Sequence, residues 1–428
     1  MTAPPSPDRH RRTLEVYEGR ALEWQDRRPP RLDGAERFTA DLSTDVDLSA
    51  GGTDTAEGTL ATDGSAADRS LPPGATVDLG CGPGWHLPAL PPGTVAVDGA
   101  AAMLDLVAGH SPDSPRVRAD LRALPFARHS LRAVWANKSY VHLQRSLVPL
   151  ALWDLHRAMA VGAVAHLGLF GGDREHEGFD DDPFAGRSFS LWPTDLLCDV
   201  VVGAGFELLA LHEPGRDTHR GEAPHLAARL RRRRTLADTV GPGMRLLLVG
   251  LNPSMHAADS GVGFSGPGNR GWPALLASGL ATVDRDPVHL LGHHGIGMTD
   301  LVKRATAKAA ELRPEEYRDG LARLERLCAW LQPAAVCVIG LTGWRHAVDR
   351  RAVAGEQPGT LGGRPVWLMP NPSGLNAHVT VGDLAGHLRA AASLADTALA
   401  GTAPSDTSAA DTSAADTSAA DTSPVGTA

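Results

Sequence analysis

The sequence predicts an α/β protein of two domains. Three observations support this prediction: the chain length, an alternation of strands with helices that begins twice, and glycine-rich turns that follow strands. With 428 residues the chain exceeds one ordinary domain. An apolar fraction of 42% is enough for packed cores, and 47 Gly with 32 Pro indicate many loops.

Composition also excludes several classes of protein. No apolar run is long enough to span a bilayer, and the N-terminus is polar, so we predict a soluble, cytoplasmic protein without a membrane partner. The chain has four cysteines and no Cys-x-x-Cys pair. This spacing argues against zinc sites, iron–sulfur clusters and disulfides, and we predict no metal.

Acidic residues are concentrated in two segments of low complexity. The net charge of −9 alone would disfavour a nucleic-acid partner. However, residues 41–70 are acidic and rich in small residues, and the end of the chain repeats Ala-Ala-Asp-Thr-Ser. We predict a disordered insertion at 41–70 and a disordered tail at 397–428. The charge of the whole chain therefore does not exclude DNA binding.

The first alternation of strands and helices predicts a parallel sheet covered by helices. The predicted strands are 76–79, 94–97, 117–119, 133–136 and 163–170. The predicted helices between them include 101–107 and 147–159.

The alternation restarts after an arginine cluster, Arg229 and Arg231 to Arg234. Strands are predicted at 246–249, 335–339 and 366–369, and helices at 272–278, 314–331 and 381–394. We therefore place one domain at 1–230 and the second at 235–396. The cluster has two interpretations that stay open: a solvated helix end at the junction, or a group that holds phosphates.

A glycine-rich turn follows the first strand, in Val77-Asp-Leu-Gly-Cys-Gly-Pro-Gly-Trp85. Glycines let the backbone turn sharply and approach a ligand without Cβ clashes. The second strand ends in Asp98, where an acid can accept hydrogen bonds from ribose hydroxyls. The alternative is a module that binds another dinucleotide.

This stretch resembles motif I of the class I S-adenosylmethionine-dependent methyltransferases. The resemblance covers roughly 12–213 and implies a Rossmann-like sheet with S-adenosylmethionine as cofactor. It implies that the glycine loop faces the methionine part, that Asp98 binds ribose, and that Asp120 lies near adenine. The cofactor-binding residues are then Asp78, Gly80, Gly82, Gly84, Asp98 and Asp120. Segment 17–28 resembles the lead-in helix, and 191–213 the closing helix and strand.

The methyl acceptor is not determined by the sequence. After the fourth strand the chain reads Asn137-Lys-Ser-Tyr-Val-His142, without the Asn/Asp-Pro-Pro-Tyr/Phe motif of DNA amino-methyltransferases. A Pro-Cys nucleophile for pyrimidine C5 is also absent from the sequence. A DNA-base methyltransferase is therefore disfavoured, and RNA or a small molecule remains open. Tyr140 and His142 either face the substrate or belong to a lid.

The second half carries three polar elements that follow strands or precede helices. Leu246-Leu-Leu-Val-Gly-Leu-Asn-Pro-Ser254 is a strand that presents Asn252 at its carboxyl end, where an amide can position a water. Gly261 to Trp272 is a glycine-rich loop with Phe264 as a stacking face. Trp367 to Asn376 leads into a loop stiffened by prolines, with Leu375 at its tip as a wedge for a base stack.

In order and spacing these elements resemble the mismatch-specific uracil/thymine DNA glycosylases, over about 235 to the last helix. The resemblance implies an α/β/α sandwich with a central parallel sheet. It implies that Asn252 holds the attacking water, that Phe264 stacks on the flipped base, and that Asn269 and Arg270 brace this base-binding loop. The wedge loop that fills the duplex is then Asn371, Pro372, Ser373, Gly374, Leu375 and Asn376.

The function implied is base-excision repair. A monofunctional glycosylase would hydrolyse the N-glycosidic bond of uracil or a mismatched pyrimidine, in duplex DNA with a mismatched or damaged base or in single strands. It would need no cofactor. Two alternatives stay open: the second domain only binds DNA, or the methyltransferase is the main activity and this domain is accessory.

Three residues depart from the glycosylase pattern. Ser254 replaces a glycine, Gly271 replaces a phenylalanine, and Asn376-Ala377-His378 replaces a more basic run. The last departure leaves the preference for the opposite base open.

Overall fold

The computed structural model describes residues 8–26, 30–43, 72–178, 182–212, 224–374, 376 and 378–402. These residues form two α/β regions, each around its own sheet. Leu375 of the predicted wedge, residues 44–70 of the predicted insertion and residues 403–428 of the predicted tail lie outside the described residues. Within the described ranges, no helix is both long and apolar enough to cross a membrane.

The N-terminal region begins with three helices and continues as alternating strands and helices. Its helices are α1 (Asp8–Gly19), α2 (Ala21–Gln25), α3 (Asp33–Ser43), α4 (Ala101–Leu106), α5 (Val148–Ala158) and α6 (Thr194–Gly203). Its strands are β1 (Ala75–Leu79), β2 (Val95–Asp98), β3 (Arg116–Arg118), β4 (Leu131–Asn137), β5 (Met159–Gly171), β6 (Glu175–Glu177), β7 (Ser188–Trp192), β8 (Phe206–His212) and β9 (His225–Arg232).

The N-terminal sheet has the strand order β3-β2-β1-β4-β5, with all neighbours parallel. The long strand β5 then pairs with two hairpins: antiparallel with β9, whose other neighbour is β8, and parallel with β7, whose other neighbour is β6. Four of the five residues of β1 are buried, as expected for a strand covered on both faces. The carboxyl ends of β1 and β2 therefore lie side by side.

The first part of the arginine cluster, up to Arg232, belongs to strand β9, so the interpretation as a helix end was wrong for these residues. Along β9 buried and half-buried residues alternate, the period of a strand. Arg232 is buried and its Nε donates to the carbonyl of His156 at 3.2 Å. Arg229 forms an ion pair with Asp41. The guanidinium groups of Arg229 and Arg232 therefore both bind to other groups of the protein.

The C-terminal region forms a smaller sheet flanked by helices. Its strands are β10 (Leu246–Gly250), β11 (Ile296–Asp300), β12 (Ala335–Ile339), β13 (Gly355–Leu361) and β14 (Arg364–Met369). Its helices are α7 (Met255–Ser260), α8 (Gly271–Ala277), α9 (Pro287–His294), α10 (Pro314–Leu331), α11 (Leu341–Ala347) and α12 (Val381–Thr402).

The strand order of this sheet is β11-β10-β12-β14-β13. The first four strands are parallel, whereas β13 is an antiparallel edge strand. Strands β10, β11 and β12 are fully buried, and half of the residues of β14 are buried. The predicted α/β architecture with two sheets is confirmed, and the second sheet is mixed at one edge. Because β10 lies between β11 and β12, the turn after it is flanked by the ends of two neighbouring strands.

Helices extend into both segments predicted as disordered. Helix α3 continues to Ser43, past the predicted start at 41, because Leu42 packs against the core beside Phe38. Helix α12 continues to Thr402, past the predicted start at 397, because Ala395 is buried and Asp396 pairs with Arg245 at 2.6 Å. The first sheet likewise extends to Arg232, two residues beyond the predicted boundary at 230.

The two regions pack against each other directly. The side chain of Trp330 on α10 contacts both the N-terminal core and a core of the second sheet, and its rings lie 6.1 Å from those of Trp192. Arg326 on the same helix forms a bidentate ion pair with Asp199 of α6, at 2.6 and 2.8 Å. The backbone N–H of Asp238 donates to Gly203 at 2.9 Å.

Candidate active sites

The first site is formed by the turn after β1. Gly80, Gly82 and Gly84 all have positive φ, a conformation that side chains with a Cβ rarely adopt. At Gly80 the space is also closed, because a Cβ there would lie 2.3 Å from Cβ of Ser139. The backbone conformation of this turn therefore favours glycine at all three positions.

The acid at the end of β2 is tied to this turn. Asp98 Oδ2 accepts from the N–H of Gly82 and Oδ1 from the N–H of Ala100, both at 2.9 Å. Burial raises the pKa of Asp98, although these hydrogen bonds oppose the shift. Asp78 is buried beside it, and its pKa is raised well above the ordinary value by burial and by the charge of Asp98.

Asp120 follows β3 and contacts the first helix. His10 lies 3.3 Å from its Oδ1, and Arg122 donates to both carboxyl oxygens. Burial alone would raise the pKa of Asp120, but the hydrogen bonds from His10 and Arg122 lower it well below its usual range. The carboxylate of Asp120 is thus held in place by His10 and Arg122.

A cavity of about 1170 Å³ lies above the turn after β1. Gly80, Gly82, Asp98 and Asp120 line it, whereas Asp78 and Gly84 lie outside its lining. His142 also lines the cavity, while Tyr140 is buried in the core. The structure therefore brings four of the six predicted cofactor residues to one cavity and separates Tyr140 from His142.

The sequence did not predict the opposite wall of this cavity. That wall comes from α1, α2, the segment that leads into β7 and β7 itself, and includes Tyr17, Trp24, Asp182, Arg187 and Phe189. Tyr17 and Trp24 lie in segment 17–28, whose resemblance to a lead-in helix did not single them out, and Asp182, Arg187 and Phe189 carry no motif. The tertiary fold brings all five to the site.

The second site lies after β10. Asn252 Nδ2 donates to Thr306 Oγ1 at 2.8 Å and to the carbonyl of Arg304 at 3.0 Å. Because its N–H groups are used in this way, the amide has a fixed orientation. In the C-terminal segments that the structure describes, no group donates to Asn252 Oδ1. Ser254, the first departure, caps α7 by accepting from the N–H of Ala257 at 3.2 Å.

Phe264 packs across the end of β10. Its Cζ lies 3.3 Å from the position that a Cβ would take on Gly250, two residues before Asn252. Phe264 has a φ of 56°, which is uncommon for a residue with a large side chain. The glycine at 271, the second departure, has a steric reason: a Cβ there would lie 2.9 Å from Cβ of Phe264.

Arg270 joins the glycine-rich loop to the predicted wedge loop. Its Nη2 donates to the carbonyls of Ser373 and Asn376 at 2.8 and 2.6 Å, and its Nη1 donates to the carbonyl of Val379. The backbone N–H of Arg270 donates to Pro372 at 2.9 Å.

The neighbours of Arg270 complete this junction between the two loops. Asn269 Oδ1 accepts from the N–H of Gly271 at 2.8 Å. Gly374 lies close to Gly268, since a Cβ on Gly374 would lie 2.8 Å from the carbonyl oxygen of Gly268. Asn371 Oδ1 accepts from the N–H of Ser373 at 2.9 Å. Asn269 and Arg270 thus hold loop geometry, and their contribution to base binding stays a prediction.

A carboxyl that the sequence did not single out lies beside this turn. Asp300 ends β11, directly opposite Gly250 in the ladder, and is buried. Its Oδ2 has no hydrogen-bond partner among the described residues. Burial raises the pKa of Asp300 to about 6. Strand β11 was not predicted, so nothing in the sequence placed Asp300 beside Gly250.

Family models match both regions. A model described as the uracil DNA glycosylase superfamily matches residues 237–389. A model described as a methyltransferase domain matches residues 77–165. The chain carries a methyltransferase domain followed by a uracil DNA glycosylase superfamily domain. The methyltransferase match begins within β1 and ends within β5, and the glycosylase match contains β10 to β14.

Solved structures also resemble the methyltransferase domain. An S-adenosylmethionine-dependent methyltransferase from Mesorhizobium loti is 16% identical; the match covers 37% of this chain and 92% of that chain, with a TM-score of 0.31. A 1,6-didemethyltoxoflavin-N1-methyltransferase from Burkholderia thailandensis is 14% identical, with 54% and 93% covered and a TM-score of 0.39. At such TM-scores neither protein bears on the activity of this chain.

Proposed function

We propose that the glycosylase-superfamily domain removes uracil or a mismatched pyrimidine from DNA and leaves an abasic site. The observation that carries this proposal is the fixed amide of Asn252, whose Nδ2 is bound by Arg304 and Thr306. This arrangement leaves Oδ1 to accept from a water that attacks C1′ of a flipped nucleotide. Phe264, packed beside Gly250, supplies an aromatic face for the base.

The motifs contain no lysine to form a Schiff base, so the reaction would be hydrolysis alone. An amide orients water without removing its proton efficiently, so turnover would be slow. Duplexes with a G·U pair, a G·T pair, an A·U pair or hypoxanthine, and single-stranded uracil, would show which base and context the enzyme prefers.

The decisive experiment measures abasic sites formed by the full chain on these oligonucleotides. We expect Asn252→Ala to lower the rate of uracil release by about 10²-fold or more, because the water loses its positioning group. His256→Ala is the matched control, since His256 is exposed on the adjoining helix α7. Full activity of Asn252→Ala would refute the proposal. Binding of mismatched DNA without base release would favour a domain that only recognises DNA.

We propose in addition that the methyltransferase domain uses S-adenosylmethionine. The cavity supports this, because the glycine-rich turn with Gly80 and Gly82 lines it together with two carboxyl groups. Asp98 is half-buried, and Asp120 is held by His10 and Arg122. Asp98 would hold the ribose hydroxyls and the turn would face the methionine part. The bound cofactor supplies an electrophilic methyl group, and the domain supplies its orientation.

Calorimetric titration of the full chain with S-adenosylhomocysteine tests this second proposal. We expect Asp98→Ala to weaken binding at least about tenfold, the effect of losing hydrogen bonds to a charged group. Asp105→Ala, an exposed carboxyl on α4, is the control and should bind as the unaltered protein does. Absence of binding to the unaltered protein would overturn the assignment.

A further inference from the structure

The cavity of the methyltransferase domain has a further group of lining residues that are not among those proposed to hold the cofactor. The aromatic ones come from α1, α2, β5 and β7: Tyr17, Trp24, Phe170 and Phe189. The remaining polar groups on this side include His142, Asp182 and Arg187. A wall of this composition favours a flat, largely apolar ligand.

Arg187 is the centre of the aromatic cluster. Its guanidinium carbon lies 4.9 Å from the ring centre of Trp24 and 5.1 Å from that of Phe189. Arg187 is only 6% exposed, and it donates to both carboxyl oxygens of Asp182, at 3.1 and 2.5 Å. Its charge is therefore compensated inside the protein. It stiffens the aromatic wall and is not available as a phosphate site.

Helix α1 lies across the cavity and is fastened on both sides. On one side Glu18 accepts from the N–H of Ala101, at 2.7 Å. On the other side Thr13 Oγ1 accepts from the N–H of Ser188, at 3.0 Å. Helix α1 is therefore held in place as one wall of the cavity.

A polar chain runs through the same wall. His142 Nδ1 lies 2.9 Å from the carbonyl of Ser188, which can only accept, so Nδ1 carries the proton and Nε2 is the acceptor. Tyr17 Oη lies 2.8 Å from that Nε2 and therefore donates to it. Burial lowers the pKa of His142 to about 4, which keeps the ring neutral. Burial raises the pKa of Tyr17, although Arg187, whose Nη1 donates to Tyr17 Oη at 2.8 Å, opposes the shift.

We propose that this part of the cavity binds a small planar aromatic or heteroaromatic molecule with a ring hydroxyl or ring N–H, and that Tyr17 receives its proton. The inference rests on the proposed methyltransferase function. The acceptor oxygen or nitrogen forms a bond to the methyl carbon as the carbon–sulfur bond of the sulfonium donor breaks, and that electron pair stays on sulfur. The acceptor proton moves to Tyr17 Oη, and the Tyr17 proton moves to His142 Nε2.

Acceptor binding is tested by calorimetry on the full chain saturated with S-adenosylhomocysteine. The probes are 1-naphthol and 4-hydroxyquinoline, with decahydro-1-naphthol as the saturated control and a single-stranded RNA oligonucleotide as the rival acceptor. We expect the planar probes to bind at least about tenfold more tightly than the saturated one. Trp24→Ala should remove most of this difference, whereas Leu22→Ala, exposed on the same helix, should not.

The outcomes separate the two proposals. If S-adenosylhomocysteine binds but the planar probes bind no better than decahydro-1-naphthol, the acceptor inference is wrong and the cofactor assignment stands. Binding and methylation of the RNA with the planar probes unbound would also overturn it. If S-adenosylhomocysteine itself does not bind to the unaltered protein, the methyltransferase proposal fails first.

The proton relay has its own test. Methylation of 1-naphthol is compared with that of 4-nitro-1-naphthol, whose hydroxyl is already ionised at pH 8. We expect Tyr17→Phe to lower the first rate about 10²-fold and to leave the second nearly unchanged, because only the first acceptor must lose a proton. His142→Gln should show the same pattern more weakly, as a positioning residue that acts through Tyr17. Equal losses on both acceptors would show a structural role and contradict the relay.

Discussion

At the scale of single residues, the buried carboxyl of Asp300 links stability to pH. Burial raises its pKa to about 6, with Lys303 and Arg323 lowering the pKa and Asp238 raising it further. The folded protein therefore holds the proton more tightly than the unfolded chain does. The contribution of this group is fully present below pH 4 and is lost as the pH rises towards 6 and beyond.

We expect Asp300→Asn to remove this loss of stability. At pH 7 the variant should have a free energy of unfolding higher by about 3 kcal/mol, the cost of ionising a carboxyl with a pKa raised from 3.8 to about 6. At pH 4 the difference should nearly vanish. Urea unfolding at both pH values measures it. An equal effect at the two pH values would mean that Asp300 does not titrate in this range.

Glycine 271 provides a second prediction at this scale. A Cβ at this position would lie 2.9 Å from Cβ of Phe264, so Gly271→Ala should displace the aromatic ring. We expect the rate of uracil release to fall at least tenfold, with a loss of about 1–3 kcal/mol in stability from overpacking. Gly266→Ala is the matched control in the same loop, because its Cβ would meet open space. Oligonucleotide cleavage and thermal unfolding of both variants decide the matter.

At the scale of elements, Arg270 holds the loop at 371–379 against the glycine-rich loop. Its guanidinium donates to three backbone carbonyls, of Ser373, Asn376 and Val379. Arg270→Ala leaves these acceptors unsatisfied and frees the loop predicted to enter the duplex.

Exchange of backbone amide hydrogens in 371–380 should accelerate in Arg270→Ala. Excision of uracil from duplex DNA should fall more than excision from single strands, since only a duplex requires the gap to be filled. Arg389→Ala on α12, an exposed arginine, is the control. Equal losses on both substrates would contradict a role for this loop in opening the duplex.

Sequence patterns predicted the elements that carry strong apolar or glycine signals. Helix α10 begins at Pro314 and ends at Leu331, as predicted, because a proline at the first turn and a long amphipathic pattern define it. Strand β11 was missed: its sequence Ile-Gly-Met-Thr-Asp is short, interrupted by a glycine and ends in an acid. Strand β9 was missed because its arginines hid an alternation that buries Leu226, Ala228 and Leu230.

The candidate sites were predictable to the extent that one short motif contains them. The turn after β1 was predictable from an apolar strand followed by glycines, and the turn after β10 from an apolar strand followed by Leu-Asn-Pro. The aromatic wall with Arg187, and the position of Asp300 opposite Gly250, depend on contacts between distant segments. A single sequence contains no local signal for such contacts.

At the scale of the whole molecule, helix α10 joins the two domains. Trp330 packs against a core of each domain, and Arg326 pairs with Asp199. We expect calorimetric unfolding of the unaltered chain to show one transition, because neither domain can unfold without exposing this shared surface.

Trp330→Ala should separate the transition into two by removing the shared apolar contact. Val353→Ala, a substitution at an exposed position of the same domain, should keep one transition. Two transitions in the unaltered chain would mean that the interface does not couple the domains.

Helix α1 touches both parts of the cavity: His10 contacts Asp120 on one side, and Tyr17 contacts His142 on the other. A shift of this helix would therefore disturb the contacts of both parts of the cavity. We expect the release rates of the methylated product and of the spent donor to change together when Thr13→Val removes the hydrogen bond to Ser188.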